Sequence, residues 1–569
     1  MKQMFLLPLL VLILTLLAKQ KQPEIAIDVY AKQRTAIACF PERSRALVID
    51  GIGLLPGSGK HHWQVSRNDS AQIYFDQGMN MYYSFHIIEA LASFVKAQQF
   101  DPENAMLHWG EALTYSPNIN DVGYIQPEDA MKAVQKANAL ASQRSTIEKD
   151  FITAMHKRFS ADPTISRERL NIDYKDAMAA LAAKYPTNVE VLALYADALM
   201  ILHPWDLYQG DGKPKAWTPQ LVEVLEKGLG IDTDHPGLNH YYIHAVEGSS
   251  NPGRGITSAD KLDRIVPGAS HMVHMPSHIY IRTGNYARGI AVNEAALRGY
   301  SNYLAIYPKV AAGNFLYQVH NTHLMAACAI MNGNMAKAIQ VSKDCMAQVP
   351  EEYHHMDGPM AEFMQYASAT PIFAYIRYGQ WDQLLAPKTI ADSSLYLRIL
   401  YAFGRGFAHA RQGRISSAEA ELASLTYIME NNPKLKEKAF NSAYDGANVA
   451  KHMLGGVIAE LKKDYKLAAV LLRQAAELEE GMVYNEPKDW ILPPLPYLGN
   501  VLLKDNQFIE AEKVFRKDLA FNPSNLWGLR GLMLAQLYQG KKSEANKTSK
   551  VLAAAMVYSD FGKLEGAVF

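Results

Sequence analysis

An excess of charge of either sign is missing from this chain. Its 57 Lys and Arg balance 57 Asp and Glu, so there is no overall basic field to hold DNA or RNA, and a nucleic-acid partner is not expected. Cysteine is scarce. Cys39, Cys328 and Cys345 are too few for a disulfide framework, lack zinc-finger spacing and have no basic neighbour to activate a thiolate, so they read as buried small residues. Ser/His/Asp, dinucleotide-binding and kinase signatures are also missing. Gly57-Ser58-Gly59-Lys60 imitates a phosphate loop, but Leu54 stands where a Walker A has its first glycine and His61 where it has Ser or Thr.

Long apolar runs are confined to the N-terminus. A basic start followed by Phe5 to Leu17 is too short to span a bilayer and right for a signal-peptide core. Ala18 suits cleavage while Leu16 is large for it, so residues 1–21 are expected to be a signal peptide or an uncleaved anchor. The expected location is the periplasm or outside the cell, with membrane contact only through this segment. Cys39 lies too far past the run for a lipoprotein box. Residues 22–70 read as an irregular leader, in which His61-His62 is expected to be a surface pair, with folding back onto the helical region as the alternative.

Hydrophobic residues make up 49% of the chain, enough for a large folded core. Strand signals are scarce, and helical periodicity runs from about residue 70 to the end. Ala90, Phe94, Ala97 and Pro102 follow the second-helix pattern of a tetratricopeptide repeat, and Ala112 and Tyr115 fall at first-helix positions of the next unit. Leu495, Leu498, Gly499, Ala511, Phe515 and Pro523 fit a further unit. Weaker units phase on Ala468, Ala418, Ala338 and Gly289, with Gly413, Gly379, Gly333 and Gly284 closing first helices. The chain therefore resembles a tetratricopeptide solenoid: all-α, built of helix pairs, with 71–350 as an N-terminal half and 351–569 as a C-terminal half. The resemblance implies a superhelix whose concave groove is lined by positions 2, 5 and 9 of each first helix.

Seven of the 18 histidines lie between His240 and His323. His240, His244 and Glu247 share one helical face, as do His271, His274 and His278. Phased on Ala259, Gly284 and Ala338, His244, His274 and His323 fall on position 5, His278 on position 9, and His271 and His320 on position 2. Asp197 takes position 9 one repeat earlier. Pro276 breaks the pattern. A helix starting there would leave His271 and His274 in the preceding turn, and a broken local rule of this kind marks a functional site.

Clustered imidazole and carboxylate suit a borderline transition metal, copper or zinc. The expected ligands are His240, His244, His274, His278, His320, His323 and Asp197, with Glu247 as general base or ligand. Met272, Met275 and Met325 flank them and read as copper ligands or core fillers. The sequence HYYIH has Tyr241 where HExxH has its glutamate, so no zincin follows. Further groove contacts to a ligand are assigned to His86, Trp109, Asn118, Asn120, Tyr484, Glu486 and Trp490.

The stretches FDQGMNMYYSFHIIEALASF at 75–94, AMLHWGEALTYSPNIN at 105–120, HYYIHAVEGSSNP at 240–252, HMVHMPSHIYIRTGNY at 271–286 and YNEPKDW at 484–490 resemble exported bacterial tetratricopeptide proteins of this length. Ser84-Phe85-His86 stands where that group has Phe-Asn-His. The resemblance implies fold and site position without a reaction. Two functions follow: a metalloprotein working on a small molecule or peptide as a hydrolase or oxidase, or a scaffold holding a protein partner of the cell envelope.

Overall fold

The computed structural model describes residues 48–120, 127–308, 314–438, 441–560 and 562. The expected signal segment, Cys39 and most of the leader lie outside these. Among the described residues there is no strand, and the helices follow one another as antiparallel pairs that pack on their chain neighbours. Asp69–Tyr83 pairs with Ile87–Phe100, Ala105–Thr114 with Pro127–Ala139, and the series runs on to Leu526–Tyr538 with Lys542–Ala555. This is the expected all-α helix-pair solenoid. No described helix is long and apolar enough to cross a membrane.

Local chemistry explains the pairs. Asn68, Asn104, Asn188 and Asn525 each accept a backbone N–H at the start of a first helix, a cap that contributes about 1 kcal/mol. Gly284, Gly333, Gly379 and Gly413 close first helices at φ of +73°, +75°, +67° and +77°, a region a Cβ resists. Small residues on first helices receive a phenylalanine from the second. Phe94 is clamped between Gly78 and Gly110, and Phe515 between Gly499 and Gly531, where an added Cβ would overlap the ring. Burying such a ring contributes about 1.5–3 kcal/mol.

One apolar core runs from Val48 to Tyr307, a second from Tyr286 to Leu552, and a smaller cluster joins Val319, Cys345, Val349, Tyr353, Ala361, Met364 and Ala367. The leader packs onto the first repeats. Val48, Ile52, Leu55 and Val65 are buried, and the Leu55 N–H donates to Gln77 Oε1 at 2.8 Å. His61 and His62 do not form a surface pair: His61 turns inward to Glu190 at 2.6 Å, while His62 stays exposed beside Asp76.

Candidate metal centre

Three consecutive first helices carry the histidines. Pro236–Val246 supplies His240 and His244, and Asn314–Met331 supplies His320. Between them the chain is split by Pro276 into Ser270–His274 and Pro276–Arg282, and Met275 joins the two with helical dihedrals (φ −50°, ψ −35°). His271 and His274 thus sit in a short helix rather than in the turn expected before Pro276. The break lets both His271 and His278 reach the groove wall.

The six rings form two groups. The ligand atoms of His240, His244 and His271 lie within 4.8 Å of one another, and so do those of His274, His278 and His320. In the first group the Nε2 atoms of His240 and His244 are 3.2 Å apart. In the second, His274 Nε2 is 2.9 Å from His278 Nε2 and 3.0 Å from His320 Nε2. Across the groups the rings of His244 and His278 are 5.5 Å apart, and those of His271 and His274 5.6 Å.

The partners at Nδ1 decide what these nitrogens can do. His240 Nδ1 meets the Tyr83 carbonyl at 2.6 Å, which can only accept, so this imidazole carries its proton on Nδ1 and a lone pair on Nε2. His274 Nδ1 meets Asn293 Oδ1 at 2.8 Å, and the Asn293 amide is oriented by donating to the Gly289 carbonyl. His274 Nε2 therefore also presents a lone pair. Glu247 spans both groups: Oε1 is 3.1 Å from His244 Nδ1 and Oε2 is 2.5 Å from His278 Nδ1. An ionised Glu247 accepts from both, and all four Nε2 lone pairs then face one another within the groups. A single proton on Glu247 would reverse one imidazole at most, leaving the other group with opposed lone pairs. Such a constellation is satisfied by a cation.

Burial favours the neutral rings that a metal takes. Desolvation pushes His244 and His274 down to about 3, and it holds His240, His271, His278 and His320 well below the ordinary imidazole value, with neighbouring rings adding to the effect. Burial pushes the Glu247 carboxyl well above the ordinary carboxylate value, outweighing the downward pull of the Arg282 guanidinium, which donates to the Glu247 carbonyl and covers the Phe521 ring at 3.8 Å.

A cavity of about 240 Å³ opens on the cluster. His244, His271, His278 and His320 line it, while His240 and His274 stand behind them. Trp205, Tyr317, Phe363, Tyr366 and Tyr396 give it an aromatic wall, and Glu362, Glu486 and Asp489 lie on the C-terminal side. Burial pushes Glu362 up to about 8, against the Ala443 N–H that pulls it down. Asn120 also lines the cavity, and Asn118 Oδ1 accepts the Asn120 N–H at 2.9 Å, fixing that turn.

Several expected residues lie elsewhere. Asp197 is committed to Arg158 and the Tyr82 hydroxyl, both at 3.2 Å, a buried ion pair outside both histidine groups. His323 is turned to Tyr366, with ring centroids 5.4 Å apart, and joins neither group. Glu247 meets the Nδ1 atoms of His244 and His278 and does not line the cavity, and its ligand atom lies within 4.8 Å of those of His244 and His278. Trp109 packs on Trp63 and Phe151, and Trp490 on Phe373 and Phe403, so both belong to the core. Tyr484 lies against Arg282, 5.1 Å from guanidinium to ring centroid. His86 Nδ1 meets Glu89 at 2.9 Å. Met272, Met275 and Met325 are buried in the apolar cores. His271 was on the groove face in sequence but not among the expected ligands, and both its ring nitrogens lack a hydrogen-bond partner among the described residues.

Phe85 covers the first group. Its ring lies 4.5 Å from His240 and 5.7 Å from His271, and its backbone is left-handed at φ +56°. Asparagine tolerates that region better than phenylalanine.

A second buried cluster joins His61, Glu190 and His235. His235 caps its helix: Nδ1 accepts the Leu238 N–H at 3.1 Å. Its proton is therefore on Nε2, which points at Glu190 Oε1 at 3.4 Å. Burial raises the Glu190 carboxyl, but His61 and His235 outweigh it and leave Glu190 well below the usual carboxylate range. Burial lowers His61, and Glu190 outweighs it, so that His61 ends raised. This is an ion pair, and it leaves no inward lone pair on His235.

No family model matches the chain, and no curated protein does either. Among solved structures, a human IFIT1 dimer with m7Gppp-AAAA is similar at 12% identity and TM-score 0.32, with 93% of this chain and 99% of that one covered. Yeast Tom70 is similar at 13% identity and TM-score 0.28, covering 87% and 95%. The P58(IPK) TPR domain is similar at 12% identity and TM-score 0.21, covering 87% and 94%. Likeness at this level carries no functional argument, and the fold stands on the helix pairs themselves.

Proposed function

We propose that this chain is a transition-metal protein that binds zinc or copper through the histidine cluster and works on a small molecule held in the adjoining cavity. The observation that carries the reading is the convergence of imidazole Nε2 atoms whose Nδ1 atoms meet the Tyr83 carbonyl, Asn293 Oδ1 and the two Glu247 oxygens. Imidazole ligands without thiolate suit zinc or copper and not magnesium or calcium. A metal bound there supplies Lewis acidity and an activated water, or with copper an electron. His240 and His274 would hold it from behind, and His244, His271, His278 and His320 would hold it from the cavity side. The volume is at the small end of ligand pockets, and the aromatic wall supports an organic ligand with apolar surface.

The test is elemental analysis of the protein purified without added chelator, beside His244→Ala/His274→Ala. The expected result is a stoichiometric transition metal that the double substitution removes. Less than about a tenth of an equivalent in the unsubstituted protein contradicts the reading, because apparent affinities of structural metal sites are far too high for such loss. The second reading is a groove holding a peptide or an envelope protein partner, and the aromatic wall formed by Tyr317, Phe363 and Tyr366 favours it. Capture of a partner that ignores chelator and is lost on substituting those aromatics would select it. The basic and apolar N-terminal segment supports export, which cell fractionation tests.

A further inference from the structure

The six histidines divide evenly, and the division has a consistent plan. Each group contains two histidines one helical turn apart, His240 with His244 and His274 with His278, and a third from the next segment of chain, His271 or His320. Each has one imidazole behind, locked by an acceptor that cannot change role, and two at the cavity. Glu247 gives one oxygen to each group. The ligand atoms of a group lie within 4.8 Å of one another, close enough for small side-chain shifts to bring them to the roughly 3.4 Å that separates imidazole nitrogens about 2.0–2.1 Å from a common tetrahedral ion.

We infer that the cluster is a two-ion centre: His240, His244 and His271 hold one zinc or copper ion, His274, His278 and His320 hold a second, and Glu247 couples them through the two imidazoles it orients. The inference rests on the metal reading above and goes further in number and arrangement. Two ions are close enough, across rings 5.5 and 5.6 Å apart, for one small molecule entering from the cavity to touch both. The same plan explains why His271, without a hydrogen-bond partner for either nitrogen, is buried at all. An uncompensated buried imidazole is costly, and a metal bond removes the cost.

Stoichiometry tests this. The full chain is stripped with chelator, reloaded with zinc alone or with copper(II) alone, freed of excess metal and analysed by mass spectrometry of the elements. The expected content is two equivalents, falling to one in His271→Phe and to one in His320→Ala. The first substitution keeps a ring between Phe85 and Tyr317 and breaks no hydrogen bond of the His271 nitrogens. Circular dichroism of each apo variant establishes that it is folded. One equivalent in the unsubstituted chain overturns the pair and leaves a single-ion site. Two equivalents that both substitutions leave unchanged place the ions elsewhere and also overturn it. No bound metal overturns the reading on which the pair rests.

Discussion

The cluster around Glu190 and the cluster around Glu247 are built from the same residue types, both are buried, and both bring ligand atoms within 4.8 Å of one another. They differ in where the imidazole protons are held. His235 accepts a backbone N–H through Nδ1 and so turns an N–H toward Glu190. His240 and His274 give their Nδ1 protons to oxygen acceptors and so turn lone pairs toward their neighbours. The first arrangement completes itself as an ion pair, and the second offers nitrogen lone pairs that a cation would satisfy. Proximity of histidine and carboxylate is therefore a weak sign of a metal site, and the chemistry of the outer partners is the stronger one.

The difference can be broken from either side. The largest effect is expected in the ion pair. His61→Ala leaves Glu190 buried beside His235 and the Tyr83 hydroxyl, and is expected to destabilise the fold by about 3–5 kcal/mol in denaturant titration, as for a broken buried pair, with metal content unchanged. Its pH dependence follows from the signs. The depressed Glu190 contributes fully above the ordinary carboxylate value of 4.5 and loses its contribution as pH falls. The raised His61 contributes fully below the ordinary imidazole value of 6.5 and loses its contribution as pH rises. The stability gap between wild type and His61→Ala is expected to be widest between pH 4.5 and 6.5 and to narrow on both sides.

In the other cluster, His274→Ala removes the ring whose Nε2 lies within 3.0 Å of two others. Competition with a chromophoric chelator is expected to show more than about a hundredfold weaker binding, beyond the range of an outer-partner change. Glu247→Gln comes next. An amide accepts from one imidazole but donates to the other, reversing that ring, so affinity for one ion is expected to fall about ten- to hundredfold in the same assay. Asn293→Leu frees His274 Nδ1 and the Gly289 carbonyl but touches no other imidazole, and a loss near the tenfold end is expected. If either of these last two changes matched His61→Ala in lowering stability while leaving affinity intact, the two clusters would be of one kind.

The repeat was readable because its marks are local: Ala90, Phe94 and Gly413 sit at spacings that a helix pair dictates. The groove phase also put His244, His271, His278 and His320 on the face that lines the cavity, since position within a first helix decides which way a side chain faces, while His323 on the same phase turns to Tyr366. Other assignments failed for want of long-range partners. Asp197 occupies a groove position, yet Arg158, from the turn after an earlier helix, claims it. Glu247 follows His244 by less than a turn, but only the packing of the next helix, with His278, shows that it faces the Nδ1 side. Tyr83 and Asn293 act through a backbone carbonyl and a neutral amide, neither of which a ligand motif includes. The inward path of His61 depends on a leader whose irregular sequence carries no period to read.

Anomalous diffraction from metal-loaded crystals, at the absorption edge of the bound metal, tests the central claim most directly. The account predicts two peaks, each about 2.0–2.1 Å from a ring nitrogen of each of its own three histidines, and none beside Glu190. A peak at Glu190, or a loaded protein with no peak among the six Nε2 atoms, would contradict it.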